Sequence, residues 1–185
     1  MIVLGVDPGL YGGIAVLADG KLVNACKMPL AQTARAAKPA KVVTDDAGDV
    51  VATIRAEKSQ KAQIDWAAFH TFLLENAFGG AVGAIERVGG MPGQSATASF
   101  TFGFNTGAAY GLLASVCLPV HQVAASRWKG ALHVPSDKSG AMKRATELFG
   151  AEAAARYWPR RNCDGVAEAA MIALWAQRML KGAAA

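Results

Sequence analysis

The strongest constraint on this chain lies in its first 28 residues, where apolar runs at 2–6, 13–17 and 22–27 are separated by Pro8-Gly9 and by Asp19-Gly20. Runs this short, rich in Val, Ile and Leu and bounded by Gly and Pro, read as β-strands. An Asp-Gly pair between two of them is the strongest short-range hairpin signal. The segment therefore reads as an antiparallel meander, and later segments must cover its apolar faces.

Those segments supply helices and two further strands. Ile64, Ala67, Ala68, Phe72 and Leu73 recur at helical spacing over 64–78, and Gly79-Gly80 ends that run. A buried strand is predicted at 81–86, a long helix of small residues at 95–116 and a fifth strand at 119–123. Short helices are predicted at 124–129 and 138–149, and a last one at 164–181, where Arg178 and Lys181 suit the C-terminal end of the macrodipole. The expected fold class is α/β, with a five-stranded mixed sheet of three antiparallel strands then two parallel ones, flanked by helices. A chain of 185 residues fits one domain, 1–185. The polar stretch at about 30–63 stands apart from it: Val42-Val43 and Val50-Val51 flank Asp45, Asp46, Gly48 and Asp49, which reads as a protruding hairpin.

Composition removes several function classes. Apolar residues make up 52% of the chain, but Gly, Ala and charged residues interrupt every run before the roughly 18 residues that suggest a bilayer span. No membrane is expected as a partner. With no basic leader or small-residue cleavage site before the first strand, the expected location is the cytoplasm. Cys26, Cys117 and Cys163 are odd in number and lack metal-ligand spacing, so neither a disulfide framework nor a zinc site is expected. Residues 121–161 hold eight basic residues against three acidic ones, an excess equal to the chain's whole net charge of +5. Such a segment suits a polyanion, whose counterions it releases, or an ordinary solvated helix face.

Four acids occupy positions where acids are costly unless they have a task. Asp7 ends the first apolar strand, directly before Pro8-Gly9, and Glu86 ends the strand AVGAIE. Asp164 and Glu168, four apart, share one face at the start of the last helix. Asp164 also suits the helix macrodipole, a purely structural role, whereas Glu168 lies a turn further in among alanines. Ends of neighbouring strands lie close together, and a helix crossing that end adds its own acids. Converging carboxylates repel unless cations neutralise them, and their hard oxygens select Mg²⁺ or Mn²⁺. Two such ions about 4 Å apart suit phosphodiester hydrolysis.

The motifs GVDPGLYGGIAVL, AIERVGGMPGQ, HQVAASRWKGALHVPSDKSGAMKRATELFG and CDGVAEAAMIALWAQR, in this order, resemble RuvC-type Holliday-junction resolvases of the phage and organellar branch, within the ribonuclease-H-like superfamily. The resemblance spans most of the chain outside 30–63. It implies a Mg²⁺-dependent crossover-junction endodeoxyribonuclease with two ions per site, Mn²⁺ being the other candidate. It further implies metal ligands at Asp7, Glu86, Asp164 and Glu168, and Lys138 beside the scissile phosphate. Lys129, Lys143 and Arg144 become candidate contacts to the DNA backbone. The family commonly spaces its last two acids by three rather than four, and either interval keeps them on one helical face.

Other residues carry paired readings. Met91 and Gln94, beside flexible glycines after Glu86, suit an apolar wedge and a base-reading amide, or a loop packed on the surface. The helix at 95–116 offers Ala98, Gly103, Gly107, Ala108, Gly111 and Ala114 for close approach and Phe100, Phe104 and Leu112 for apolar area, which suits a homodimer interface or packing on its own sheet. Trp158-Pro159-Arg160-Arg161 reads as a solvated turn or as a surface laid against DNA. His70, His121 and His133 have no ligand spacing. The expected partners are four-way or other branched DNA and a second copy of the chain, since paired symmetric nicks require two sites. Competing readings are a ribonuclease-H-like nuclease for branched DNA or hybrids, a non-catalytic DNA-binding module of the same fold, and an actin-like kinase, for which 185 residues leave too little room.

Overall fold

Strands β1 (Ile2–Asp7), β2 (Gly13–Ala18) and β3 (Lys21–Lys27) form the antiparallel meander in a computed structural model that describes residues 1–34, 41–54, 60–90, 93–137 and 139–183. Asp19 and Gly20 both have positive φ, 50° and 90°, as a two-residue turn matched to the strand twist requires. Strand β8 (Val82–Arg87) then pairs parallel to β1, and β9 (Val120–Ala124) parallel to β8. The sheet order is β3-β2-β1-β8-β9, three antiparallel strands and two parallel ones as expected.

Between β3 and β8 the chain departs from its expected course. Residues Leu30–Ile64 form a separate compact unit, and the remainder, Met1–Pro29 with Asp65–Ala185, forms the other. Within the smaller unit β4 (Leu30–Ala34) pairs antiparallel with β7 (Gln60–Ile64), and β5 (Lys41–Thr44) with β6 (Val50–Ile54). The β5–β6 hairpin is the one predicted, its turn closed by the Asp45 carboxylate accepting from the N–H groups of Ala47 and Asp49. The β4–β7 pair is not among the predicted elements, because its strands are polar and show no apolar alternation. Ile64 accordingly ends a strand instead of opening a helix. Helix α1 (Trp66–Asn76) starts two residues later, where the Asp65 carboxylate caps the Ala68 N–H.

The sheet is covered on both faces. Helix α2 (Ala96–Val116) lies over β8, where Leu113 fills the space a side chain at Gly83 would need. After β9, α3 (Ala125–Ala131) and α4 (Gly140–Tyr157) lead to α5 (Asp164–Ala183). Helix α4 runs further than predicted, bending at Gly150, which adopts φ 89°. Helix α5 is buried nearly all round, with Val166, Ala167, Ala169, Ala170, Met171, Ile172 and Ala173 in the core. A helix apolar on every side belongs at the centre of a fold, and each large side chain it buries contributes roughly 1.5–3 kcal/mol. Among the described residues no helix is long and apolar enough to cross a membrane.

The period-two alternation of strands aims the site residues. Val3 belongs to the core under α5 and Gly5 faces the Ala169 carbonyl, so Asp7, two further on, points to the same face. In β8, Ala84 shares that core and Glu86 follows it. Val6 pairs with Ile85, which leaves Asp7 and Glu86 side by side at the ends of adjacent parallel strands.

Candidate functional site

Glycines bring the start of α5 to the end of β1. A side chain at Gly5 would strike the Ala169 carbonyl, one at Gly13 would meet Val166, and Gly12 and Gly165 sit backbone to backbone. With no Cβ at these positions the helix lies directly on the strands. Its first two turns therefore carry Asp164 and Glu168 to Asp7. These three acids line one open pocket of about 220 Å³ with the 9–12 turn. Glu86 lines a different pocket, with Thr106, Tyr110 and Gln122, but stands close enough for its charge to act on Asp7.

Two of the four acids are raised. Asp7 is pushed up from 3.8 to about 7, first by burial, then by Glu168 and Glu86, against the lowering effect of the Gly9 N–H on its Oδ1, with Asp164 adding a smaller push. Burial also lifts Glu86, as does Glu168, while the Trp128 N–H and Lys129 oppose the rise. Trp128 Nε1 donates to Glu86 Oε2 at 2.9 Å, and Lys129 Nζ pairs with Glu168 Oε1 at 2.8 Å. Asp164 is exposed and accepts from the N–H of Gly165 at 3.2 Å.

No protein-family model matches the chain, and no curated protein matches it. Among solved structures it is similar to Thermus thermophilus RuvC in complex with a Holliday junction substrate, with a TM-score of 0.57 at 19% identity over 97% of this chain and 96% of that one. A second Thermus thermophilus RuvC structure aligns over the same shares at a TM-score of 0.50 and 18% identity. The chain has the RuvC fold. Its five-stranded mixed sheet flanked by helices is the ribonuclease-H-like arrangement that the motifs implied.

In this RuvC-fold setting the donor chemistry of the four acids suits a hard divalent cation: all are carboxylates, and their mutual repulsion is what such a cation relieves. Among the described residues, however, no three His, Cys, Asp or Glu side chains converge tightly enough to hold an ion. Two of the four acids are turned to protein partners, Glu86 through Oε2 and Glu168 through Oε1. Among the described residues, no partner engages the second oxygen of either carboxylate, Glu86 Oε1 or Glu168 Oε2.

Other predicted residues are placed as follows. Lys143 is exposed on α4. Arg144 is committed within the protein, its Nε donating to the Leu132 carbonyl at 2.7 Å and its Nη1 pairing with Glu147 at 2.6 Å. Gln94 is half-buried just before α2. Met91 and Lys138 lie outside the described residues. In the segment 158–161, Pro159, Arg160 and Arg161 are exposed, as in a solvated turn, but Trp158 corrects the expectation: it is buried, donating to Thr146 Oγ1 at 3.0 Å and meeting Phe149 edge-on. On α2 only Ala109 and Leu113 are buried, whereas Phe100 and Phe104 stand 74% and 59% exposed.

Sequence reasoning meets Trp128 as part of a motif but gives it no role at the site. Its partner Glu86 is 42 residues away, and nothing local to either residue announces the pairing.

Proposed function

We propose that this chain is a structure-selective DNA endonuclease that resolves four-way junctions by paired, metal-dependent phosphodiester hydrolysis. The observation that carries the reading is the gathering of Asp7, Glu86, Asp164 and Glu168 from two strand ends and one helix, close enough for the charges of the other three to add to the burial that lifts Asp7. A module that only binds DNA gains nothing from negative charge where phosphate must lie. The RuvC fold and the junction bound by the Thermus thermophilus protein favour branched DNA as the substrate.

Asp7, Glu86, Asp164 and Glu168 would hold Mg²⁺ or Mn²⁺, two ions per site. When bound, such ions supply an activated water and neutralise charge on the scissile phosphate. Gly9 orients Asp7 through its N–H, and Trp128 orients Glu86. Lys138 is assigned to the developing negative charge, and Lys129, Lys143 and Arg144 to the phosphate backbone. Met91 and Gln94 are assigned to opening the junction and reading a base. The unit Leu30–Ile64 is an insertion in one nuclease domain.

Two nicks at symmetric positions require two sites, and a two-fold dimer supplies them. The exposed stripe of α2 supports that arrangement: Phe100, Phe104, Gly107 and Gly111 recur at i, i+4, i+7 and i+11, and added side chains at both glycines would meet nothing within 4 Å. Incubation with labelled four-way junction, linear duplex and RNA–DNA hybrid in Mg²⁺ tests the whole reading. Paired cuts in the junction, lost on Asp7→Asn with junction binding retained, are expected. Cleavage of hybrid in preference to junction, or full activity in the variant, would refute it.

A further inference from the structure

Two consecutive residues of α3 hold two of the four acids, and they do so by different chemistry. Trp128 is fully buried, and its N–H reaches one oxygen of Glu86. An indole N–H inside a protein needs an acceptor, and here the acceptor is a carboxylate on another element, so the ring's packing also fixes the direction of the carboxylate. Lys129, by contrast, has a half-exposed side chain whose Nζ sits 2.8 Å from Glu168 Oε1 and 5.0 Å from the Trp128 ring centroid. Among the described residues this is the one ion pair made to the four acids. Neighbours on a helix point about 100° apart. Helix α3, entered directly from β9 where Val123 pairs with Glu86, can thereby reach both β8 and α5.

We propose that Trp128–Lys129 is a carboxylate clamp in which Trp128 is a positioning residue that aims Glu86 at the cation site, while Lys129 holds the cation's place at Glu168 and releases it on metal binding. The proposal rests on the metal-dependent reading above. Its content is that adjacent residues have opposite effects. Fixing a ligand's direction strengthens metal binding, and partners of this kind change affinity about 10–100-fold. A lysine charge seated on a ligand weakens it, because it must be displaced and because it repels the incoming ion.

The test is calorimetric titration of the full chain with Mg²⁺ and with Mn²⁺, together with the rise in melting temperature that each ion produces. Trp128→Phe keeps the buried ring and removes the donor, and should weaken binding about tenfold. Lys129→Met keeps the apolar stem and removes the charge, and should tighten binding several-fold while lowering the melting temperature of the metal-free protein; Lys129→Arg should stay near wild type. If Trp128→Phe does not fold, the two Lys129 variants, at a half-exposed position, carry the test. Unchanged affinity in both Trp128→Phe and Lys129→Met, shifts in the same direction, or weaker binding in Lys129→Met would overturn the clamp while leaving the nuclease reading intact. A wild-type chain that takes up neither ion would overturn both.

Discussion

Replacing Asp7 with Asn should remove the proposed activity and make the metal-free protein more stable. The folded state holds Asp7 at about 7 against an ordinary value of 3.8. A carboxyl raised on folding contributes stability that is fully present below the unfolded value and lost as pH rises through the folded one, so the loss here runs from about pH 4 to about pH 7. At about 1.4 kcal/mol per pH unit of displacement, ionising Asp7 in the folded protein costs up to about 4 kcal/mol, and residual solvation of the half-buried group brings the expected figure to about 2–4 kcal/mol. Asn keeps the side-chain oxygen that accepts from Gly9 and carries no charge. Urea denaturation in EDTA should thus show the variant about 2–4 kcal/mol more stable at pH 8, equivalent to roughly 5–15 °C in melting temperature for a domain of this size, with the gap closing towards pH 4. Excess Mg²⁺ should narrow that gap, since the wild type gains about 2.7 kcal/mol at a hundredfold excess over Kd and the variant does not. A variant no more stable than wild type at pH 8 in EDTA would refute the electrostatic account of the site.

Gly5→Ala would drive a Cβ into the Ala169 carbonyl and to 2.6 Å from the Ala173 nitrogen; it should cost about 1–3 kcal/mol or more in a denaturation experiment, whereas Gly83→Ala, which meets the flexible Leu113 side chain at 2.9 Å, should cost less. Equal losses would mean that α5 does not lie on β1 as described. Lys138→Ala should slow cleavage more than it weakens junction binding in parallel rate and gel-shift measurements, and equal losses would reduce Lys138 to a phosphate contact. Phe100→Asp combined with Phe104→Asp should leave a folded monomer by light scattering that has lost paired nicking; a dimer persisting in that variant would place the interface elsewhere on the surface.

Most of the sheet is legible in the amino-acid sequence, because its signals are local. Alternation and the Asp-Gly turn mark the meander, Gly79-Gly80 closes the first helix, and Asp7 and Glu86 stand out as acids ending apolar runs. The four-residue interval between Asp164 and Glu168 puts both on one helical face, and period two carries Asp7 and Glu86 to a common side of the sheet. The polar β4–β7 pair is not legible, since its strands carry no apolar rhythm.

The sequence by itself determined which side chains are available at the site and on which local face each one lies. Tertiary structure alone decided how those faces meet: glycines at 5, 12, 13 and 165 let α5 press onto β1 and β2, while Trp128 and Lys129 reach acids on two other elements. It also tied Arg144 to the Leu132 carbonyl and to Glu147, buried Trp158, and left Phe100 and Phe104 without cover. Periodicity and turn chemistry depend on backbone geometry over a few residues and can be read along a chain. Contacts between residues 42 or more apart depend on how whole elements pack, and that is set by shape and burial across the entire core.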